Sequence, residues 1–412
     1  MQNVLADWID ENDSADWTGR VVKYPLHISR NQGVGASAEG DPLPAAGAQG
    51  YVDVSITAKY NYGRVQLTGQ VIKASLKSEG AFTRAMESEI KGLVKDLANE
   101  RERQAFGAGT GILCLTYGAQ CMTNTTTFNV DSPYNVSGAV NGARFLNPNM
   151  YCAVLDPTTA TTIEGVVKVS TITAAGTSVK IAATQSTTFS DNSRWVRCKY
   201  VSGISTDGSK NSYGNEVMGL LGLIDDGTYA NTLSGVNRTT YPVFKSTVFS
   251  SVGQLTLDVI QRGIDASDEL GGGNFANDGV FFCHHSVRRE YLKLLQADRR
   301  YSGADLKSPD GGTKQAALKK GGEITYGDRP WRIAKHAPYG TLFGTIKGSI
   351  VRYINVRGEW ADEDERIFRN VAGYDMWEAF YRIFDEHHTD RPNESFRLDG
   401  ITATVGTPNH IY

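Results

Sequence analysis

The spacing of apolar residues changes along the chain, and each change predicts a different element. Leu5, Trp8 and Ile9 fall at i, i+3 and i+4 beside an acidic face, so residues 1–16 read as a short amphipathic helix. From residue 17 to about 75 the period is two. Val22, Tyr24, Leu26 and Ile28 alternate with mostly polar neighbours, and Pro25 confines this run to an edge strand or an arm. In a second run Val52, Val54, Ile56, Ala58, Tyr60 and Tyr62 alternate with polar residues, and Val65, Leu67 and Val71 continue the alternate spacing. Residues 33–50 between the runs are rich in Gly, Pro and Ala, with Glu39 and Asp41 as their only charges. Together these segments predict one long two-stranded arm with a flexible tip. Twenty residues of strand span roughly 65 Å at about 3.3 Å per residue. A ribbon of that length is unstable alone in water and must lie on another surface.

The period then becomes 3.6. Phe82, Met86, Ile90, Leu93, Val94, Leu97, Ala98, Ala105 and Phe106 mark one face of a helix over 81–106, about seven turns long. Glu87 and Lys91 form a favourable i,i+4 pair, and Gly107 supplies a C-terminal cap. From 112 to 193 charges are sparse and Thr and Val dominate, with turn signals at Asp131-Ser-Pro, Asn147-Pro, Asp156-Pro and Ala175-Gly. This pattern predicts a small β barrel or sandwich inserted at about 113–215. Beyond it the chain reads as mixed helix and strand. It has an apolar stretch at 218–224, a helical pattern over 246–269 stopped by three glycines, a buried strand at 280–283 and a helix at 286–297. A polar, basic loop or short hairpin follows at 300–327, then strands near 331–335 and 348–355. The region 363–384 is ambiguous between helix and strand.

Composition narrows the function classes. The chain has 412 residues, 40% of them hydrophobic, and its 42 basic and 45 acidic side chains leave a net charge of −3. That is an ordinary globular composition with ample core for two or three domains. Near-neutral charge argues against a dedicated nucleic-acid binder, though not against a shell that encloses nucleic acid. No apolar run is long enough for a membrane span. Asp7, Asp10, Glu11, Asp13 and Asp16 precede the first basic residue, Arg20, the opposite of a signal peptide, so the protein reads as one made and kept in the cytosol. Cys114, Cys121, Cys152, Cys198 and Cys283 form no C-x-x-C pair and read as buried free thiols. The N-x-S/T triplets at Asn124, Asn135, Asn237 and Asn393 carry little meaning without secretion.

Motifs that suggest chemistry have structural readings. The glycines of Gly107-Ala-Gly-Thr-Gly111 follow a helix, whereas a phosphate loop follows a strand and opens a helix, so they read as a helix-ending turn. The acids at 362–365 point in several directions and read as a solvated turn or a helix start. The pairs His284-His285 and His387-His388 cannot chelate on a strand, where neighbours face opposite ways, although Cys283 and His285 could share a face. No G-x-S-x-G occurs. No catalytic, cofactor-binding or metal-ligating residue is expected, and the chain is not expected to be an enzyme. Arg299, Arg300, Lys307, Lys314, Lys319 and Lys320 form a basic patch, read first as a solvated loop and otherwise as a contact for nucleic acid or an acidic partner.

The order of these elements resembles the major capsid proteins of tailed bacteriophages. The residues that carry the resemblance are Tyr51-Val-Asp-Val-Ser-Ile-Thr-Ala-Lys-Tyr, Gln70-Val-Ile-Lys-Ala-Ser, the helix 81–106, the turn 107–111, and Gly279-Val-Phe-Phe-Cys-His-His-Ser-Val-Arg-Arg-Glu-Tyr. It covers about 17–111 and 216–412, and the insertion between is the main departure. Some members carry an extra β domain on the outer face of the shell, where this one is placed likewise.

The resemblance implies an α+β fold. Its parts are an N-terminal arm (1–19), an E-loop (20–75), the spine helix of a peripheral domain (76–112), the inserted β domain (113–215), more peripheral domain (216–245), an axial domain (246–342) and a return to the peripheral domain (343–412). It implies a self-assembling subunit that forms hexamers and pentamers of an icosahedral virion shell in the host cytoplasm. The shell encloses double-stranded DNA without sequence-specific binding, with no membrane and no cofactor. Separate scaffolding, portal and decoration proteins are its expected partners. The short segment before the arm implies a separate scaffolding protein or none. Some members weld neighbours through an E-loop lysine bonded to an asparagine. With no lysine between Lys23 and Lys59, the shell is expected to lack such cross-links. Trp17, Pro42, Pro44, Tyr60, Tyr62, Arg64, Glu87 and Lys91 are the expected assembly contacts. Two alternatives stand beside this reading. One is an encapsulin-type compartment shell. The other is a soluble carbohydrate-binding or hydrolytic multidomain protein whose β domain stacks sugar on Tyr134, Tyr151 and Trp195.

Overall fold

Among the described residues the main parts are a five-stranded and a seven-stranded sheet, a two-stranded ribbon, a closed barrel and one long helix. A computed structural model describes residues 4–71, 79–118, 126–134, 142–173, 176–182, 188–198, 208–272, 275–301, 318–319, 323–362 and 366–403. Leu5, Trp8 and Ile9 are buried as their spacing suggests, but the segment is not the expected helix. Trp8 and Ile9 close a single turn onto the carbonyl of Leu5, and Asp10–Asn12 then runs parallel to Val351–Trp360. Sheet pairing and burial of the apolar side chains outweigh the local helical spacing.

The expected single arm is also corrected. Val21–Ser29 pairs with Gly50–Thr57, and the ribbon ends there. At Ala58, whose N–H donates to the carbonyl of Arg20, the chain leaves the ribbon. Lys59–Thr68 then pairs along its length with Met376–His388. The buried positions switch with the partner, from even-numbered to odd-numbered residues. Val54, Ile56 and Ala58 are buried, whereas Tyr60 and Tyr62 are exposed and Val65 and Leu67 turn inward. The five-stranded sheet is completed by Val351–Trp360, Arg369–Asn370 and the N-terminal Asp10–Asn12. Met376–His388 settles the ambiguous region 363–384 as strand over its described C-terminal part.

The long helix Glu79–Phe106 lies on this sheet, with Leu93 above Gly63. Its last turns are buried and end on Phe106, whose ring stands against Phe282 and Phe343 of the second sheet. That sheet has seven strands, in the order Thr247–Phe249, Phe396–Leu398, Leu342–Ile346, Gly279–Cys283, Arg329–Ile333, Glu323–Tyr326 and Leu318–Lys319. Leu342–Ile346 pairs with both Gly279–Cys283 and Phe396–Leu398 within it. The helical pattern expected from 246 starts later, at Leu257, because Thr247–Phe249 is a strand and Thr256 caps the helix Leu257–Gly271. Val280 and Phe282 face the core shared with the long helix, while Phe281 and Cys283 face Ile260, Val287 and Tyr291. Burial on both faces explains the unbroken apolar run of Gly279–Cys283.

Phe396 is a wedge in this layer. A methyl group added at Gly344 on the neighbouring strand, or at Gly263 on the helix beneath, would lie 2.4 Å from its ring atoms. Gly344→Ala is expected to lower stability by about 1–3 kcal/mol through overpacking, read as a lower urea midpoint. An unchanged midpoint would show that the ring has room to shift.

Between the helix and the second sheet the chain builds a closed barrel. Its strands run in the order Arg194–Arg197, Ile112–Thr116, Thr127–Asp131, Ser178–Ile181, Ile163–Ile172 and Tyr151–Leu155. The Gly107–Gly111 turn is the link into it. Gly111 has φ +77°, and a side chain there would meet the carbonyl of Ser212, where the chain leaves the barrel.

Candidate assembly surfaces

The eight residues expected to make assembly contacts fall in four places. Pro42 and Pro44 sit on the tip between the ribbon strands, where Leu43 is 86% exposed and Val34 70%. Tyr60, Tyr62 and Arg64 share the outer face of Lys59–Thr68. Both tyrosine rings stand edge-on to Phe384, with centroids 4.8 and 5.6 Å away, and Arg64 pairs with Glu378 of the same chain. Glu87 and Lys91 pair with each other on the solvent side of the long helix. Trp17 is half-buried, and its Nε1 donates to the carbonyl of Ile354 at 3.1 Å. Sequence reasoning missed Leu43 and Val94. Leu43 lies between the two prolines that drew notice, and Val94 was counted on the buried helical face although half of it is exposed.

Val94 borders a groove of about 240 Å³ with Leu5, Leu97, Arg101, Tyr381 and Ile383. Beneath it lies an ion network that fixes helix, sheet and N-terminal strand together. Asp385, fully buried, accepts from Arg101 and from Arg352 Nε, the latter at 2.5 Å, and Arg352 also reaches Glu11 at 2.8 Å. Burial raises the Asp385 carboxyl, but the two guanidinium groups outweigh it and hold the group below its usual range.

The next two residues titrate in opposite senses. Burial pushes Glu386 up to about 8, although the N–H groups of Met218 and His387 donate to it at 2.7 and 3.0 Å. Burial, and then the charge of Arg101, pushes His387 down to about 4. An unfolded carboxyl ionises near ~4.3, so raising the pH from there to about 8 costs stability. An unfolded histidine protonates near ~6.5, so lowering the pH from there to about 4 also costs stability. Glu386→Gln keeps the acceptor oxygen and removes the charge. Its melting temperature is expected to exceed that of the unmodified chain at pH 9 and to match it at pH 4. Equal melting at pH 9 would refute the assignment.

The other sequence motifs lie in structural roles. Cys114, Cys152, Cys198 and Cys283 are buried, and burial pushes Cys152 and Cys283 up to about 12. His284 accepts the N–H of Ser286 at 3.1 Å, and burial lowers it to about 2. Among the described residues no three His, Cys, Asp or Glu side chains come together as a metal site, and no helix is long and apolar enough to cross a membrane. Cys121, Asn124, Asn135, Lys307, Lys314, Lys320 and residues 363–365 lie outside the described residues, as do the side chains of Arg299, Arg300 and Lys319. The barrel aromatics offered for sugar stacking are placed differently. Trp195 is fully buried against Phe128 and Phe189 with its Nε1 on Thr116, and Tyr134 is 6% exposed. Tyr151 is half-buried with Lys168 over its ring.

No family model matches the sequence, and no curated protein matches it. The fold does have likenesses among solved structures. The cyanophage A-1(L) capsid asymmetric unit matches over 97% of this chain and 93% of that one, at 9% identity and a TM-score of 0.57. The capsid of a native GTA particle covers 98% and 91% at 8% identity and a TM-score of 0.45. The holo-SrpI encapsulin complex from Synechococcus elongatus covers 100% and 91% at 10% identity and a TM-score of 0.44. The first carries the assignment: this chain shares the fold of that cyanophage capsid chain.

Proposed function

We propose that this chain is the major shell subunit of a tailed bacteriophage, closing through rings of five and six into an icosahedral virion around double-stranded DNA. The observation that carries the reading is the fold likeness to the cyanophage capsid chain over nearly the full length of both. In this reading the ribbon is the E-loop, the long helix is the spine, the five- and seven-stranded sheets belong to the peripheral and axial domains, and the barrel stands on the outer face. The exposed apolar tip and the half-covered helix suit a subunit whose neighbours complete it. The work of such a subunit is interface complementarity rather than catalysis. Scaffolding, portal and decoration proteins are its partners, and assembly takes place in the host cytoplasm. The burial of Trp195 and Tyr134 counts against the sugar-binding alternative.

Negative-stain microscopy with light scattering on the purified chain, alone and with the products of neighbouring genes, tests this. Closed shells or five- and six-membered rings support it. A dispersed monomer under both conditions would overturn it. Shells that carry protein cargo and no nucleic acid would move the reading to an encapsulin-type compartment. Boiled particles are expected to run in SDS as one band near the 44.8 kDa chain mass, and a ladder of oligomers would show covalent links between subunits.

A further inference from the structure

One cluster of nucleophilic and titratable groups lies where a hairpin, the ribbon and the end of the strand Met376–His388 meet. Thr232–Leu233 pairs with Val236–Asn237 as the hairpin, and Ser234 and Gly235 form its turn with φ +48° and +88°. Such a turn demands positive φ at both positions, where Asn and Gly are usual, so a serine stands here at a cost to the backbone. The carbonyl of Ser234 accepts the N–H of Ser55 at 2.8 Å, which pins the turn to the ribbon. Its Oγ lies 2.8 Å from Nδ1 of His388. Ser234 is half-buried, and Asn231, Thr232 and Gly235 beside it are exposed, so the turn is open to solvent.

His388 is 1% exposed, and the rings of Tyr24, Phe244 and Tyr353 enclose it with centroids 6.3, 6.3 and 6.4 Å away. Asp390 stands at the next alternate position of the same segment, and its Oδ1 lies 3.2 Å from His388 Nε2. The Tyr24 hydroxyl donates to that oxygen at 2.5 Å and holds the carboxyl in place. Burial raises the Asp390 carboxyl, but His388 and Tyr24 outweigh it and keep the group below its usual range, so it is ionised at neutral pH. A carboxylate at Nε2 favours the tautomer with its hydrogen there, which leaves Nδ1 to accept from the Ser234 hydroxyl. The ring is turned end for end relative to the common Ser-His-Asp arrangement, in which Nε2 faces the serine, but the roles follow from geometry.

We propose that Ser234 is an activated nucleophile that takes the acyl group of small carboxylic esters, with His388 as its base and Asp390 as a positioning residue. Oγ attacks the ester carbonyl carbon, forming a C–O bond as the π electrons move onto the carbonyl oxygen. His388 Nδ1 takes the hydroxyl proton. The oxyanion collapses, the bond to the leaving oxygen breaks, and the imidazolium gives its proton to that oxygen. The products are an acylated Ser234 and a free alcohol. Water, losing a proton to the same nitrogen, then releases the acid and restores the hydroxyl, so water is the one co-reactant. The N–H of Gly235 follows the nucleophile directly, the place from which other activated serines draw an oxyanion donor. The exposed turn, with Asn231 and Thr232 beside it, suits a short polar ester.

Treatment of the purified full-length chain with a fluorophosphonate probe and with p-nitrophenyl acetate tests this. The probe transfers its phosphonyl group to an activated serine and releases fluoride. Labelling is expected on Ser234, located by fragmentation of the tryptic peptide 211–238. The chain should release p-nitrophenol at least about tenfold faster than Ser234→Gly. Glycine suits φ +48°, so that variant should keep its fold, as judged by circular dichroism. His388→Gln should abolish labelling. Should that buried change unfold the chain, Asp390→Asn serves in its place, since Asp390 is 46% exposed. Asp390→Asn should lower kcat for the ester at least about tenfold at unchanged KM, with Asp390→Glu restoring part of it, a split that lost packing would not produce. A chain that takes no label on Ser234 overturns the proposal. So does a Ser234→Gly variant that releases p-nitrophenol as fast as the parent. Labelling of Ser234 at the parent rate in folded His388→Gln or in Asp390→Asn would show an ordinary serine and overturn it as well.

Discussion

Asp225→Ala is expected to cost about 3–5 kcal/mol, a large share of the ~5–15 kcal/mol that holds a typical protein folded. Asp225 is fully buried between two buried arginines. Its Oδ1 accepts from Arg397 Nη2 at 3.1 Å, and Arg238 Nη1 lies 3.6 Å from its Oδ2. Oδ2 also accepts the N–H groups of Gly227, Tyr229 and Ala230 at 3.1, 2.9 and 2.9 Å. Arg238 gives its remaining donors to the carbonyls of Gly222, Leu223, Ala230 and Phe244, whereas Arg397 donates to the carbonyls of Leu221 and Ile224 and, through Nε, to Asp399 Oδ2 at 2.7 Å. Removing the carboxylate leaves two buried cations with reduced compensation and three unpaired N–H groups. Burial already lowers Arg238 to about 10 with Asp225 opposing the shift. The neighbouring Asp226 accepts from Thr228 in its own turn and is part-exposed, so Asp226→Ala should cost less than about 1 kcal/mol. Urea midpoints of the two variants compare a buried hub with a surface turn. Equal midpoints would show that the hub contributes nothing beyond its turn.

The second large effect is expected on assembly with little change in folding. Leu43 on the ribbon tip is 86% exposed and Val94 on the helix 50%, so Leu43→Asp with Val94→Asp should alter monomer stability by no more than about 0.5 kcal/mol. If these surfaces are covered by neighbouring subunits, each aspartate becomes a buried charge in every copy of the contact. Such penalties amount to several kcal/mol per contact and repeat around each closed ring. The yield of shells by light scattering should fall more than tenfold while the urea midpoint stays fixed. Undiminished assembly would place both side chains outside the contacts. Glu87→Ala with Lys91→Ala, an exposed ion pair on the same helix, should leave both measurements nearly unchanged.

How much could be read from sequence depended on whether a feature is local. The long helix was legible because apolar residues at 3.6 spacing keep one side on the sheet whatever lies beneath. The strand Gly279–Cys283 was legible because burial on both faces writes a continuous apolar run. The barrel strands were marked by their turns. The first turn was misread because three apolar residues suit either a helix or a plug, and only the partner Val351–Trp360 decides between them. The ribbon was overextended for a similar reason. Tyr60 and Tyr62 continue the alternation of Val54 and Ile56, and the change of partner at Ala58 leaves no mark in a period-two pattern. Among the proposed assembly residues, exposure at the tip followed from Gly and Pro content, whereas the half-burial of Trp17 depends on a carbonyl 337 residues away. The buried arginines 103, 144, 238 and 397 were invisible for the same reason: their partners are largely carbonyls and carboxylates gathered from distant segments.

The pairing of Lys59–Thr68 with Met376–His388 also sets a timetable for synthesis. At about 5–20 residues per second, some 300 residues separate the two strands by roughly 15–60 s on the ribosome. The barrel strands, all drawn from Ile112–Arg197, can close long before that. The nascent chain therefore carries a finished barrel while the strand bearing Tyr60 and Tyr62 still lacks its partner and the helix lacks its sheet. Unpaired strands invite pairing with other chains, and a shell subunit of the kind proposed, made in many copies at once, would meet its neighbours during that interval. The last tenth of the chain is thus what turns a sticky intermediate into a subunit, and premature termination just short of it should send the product to aggregates or to chaperones.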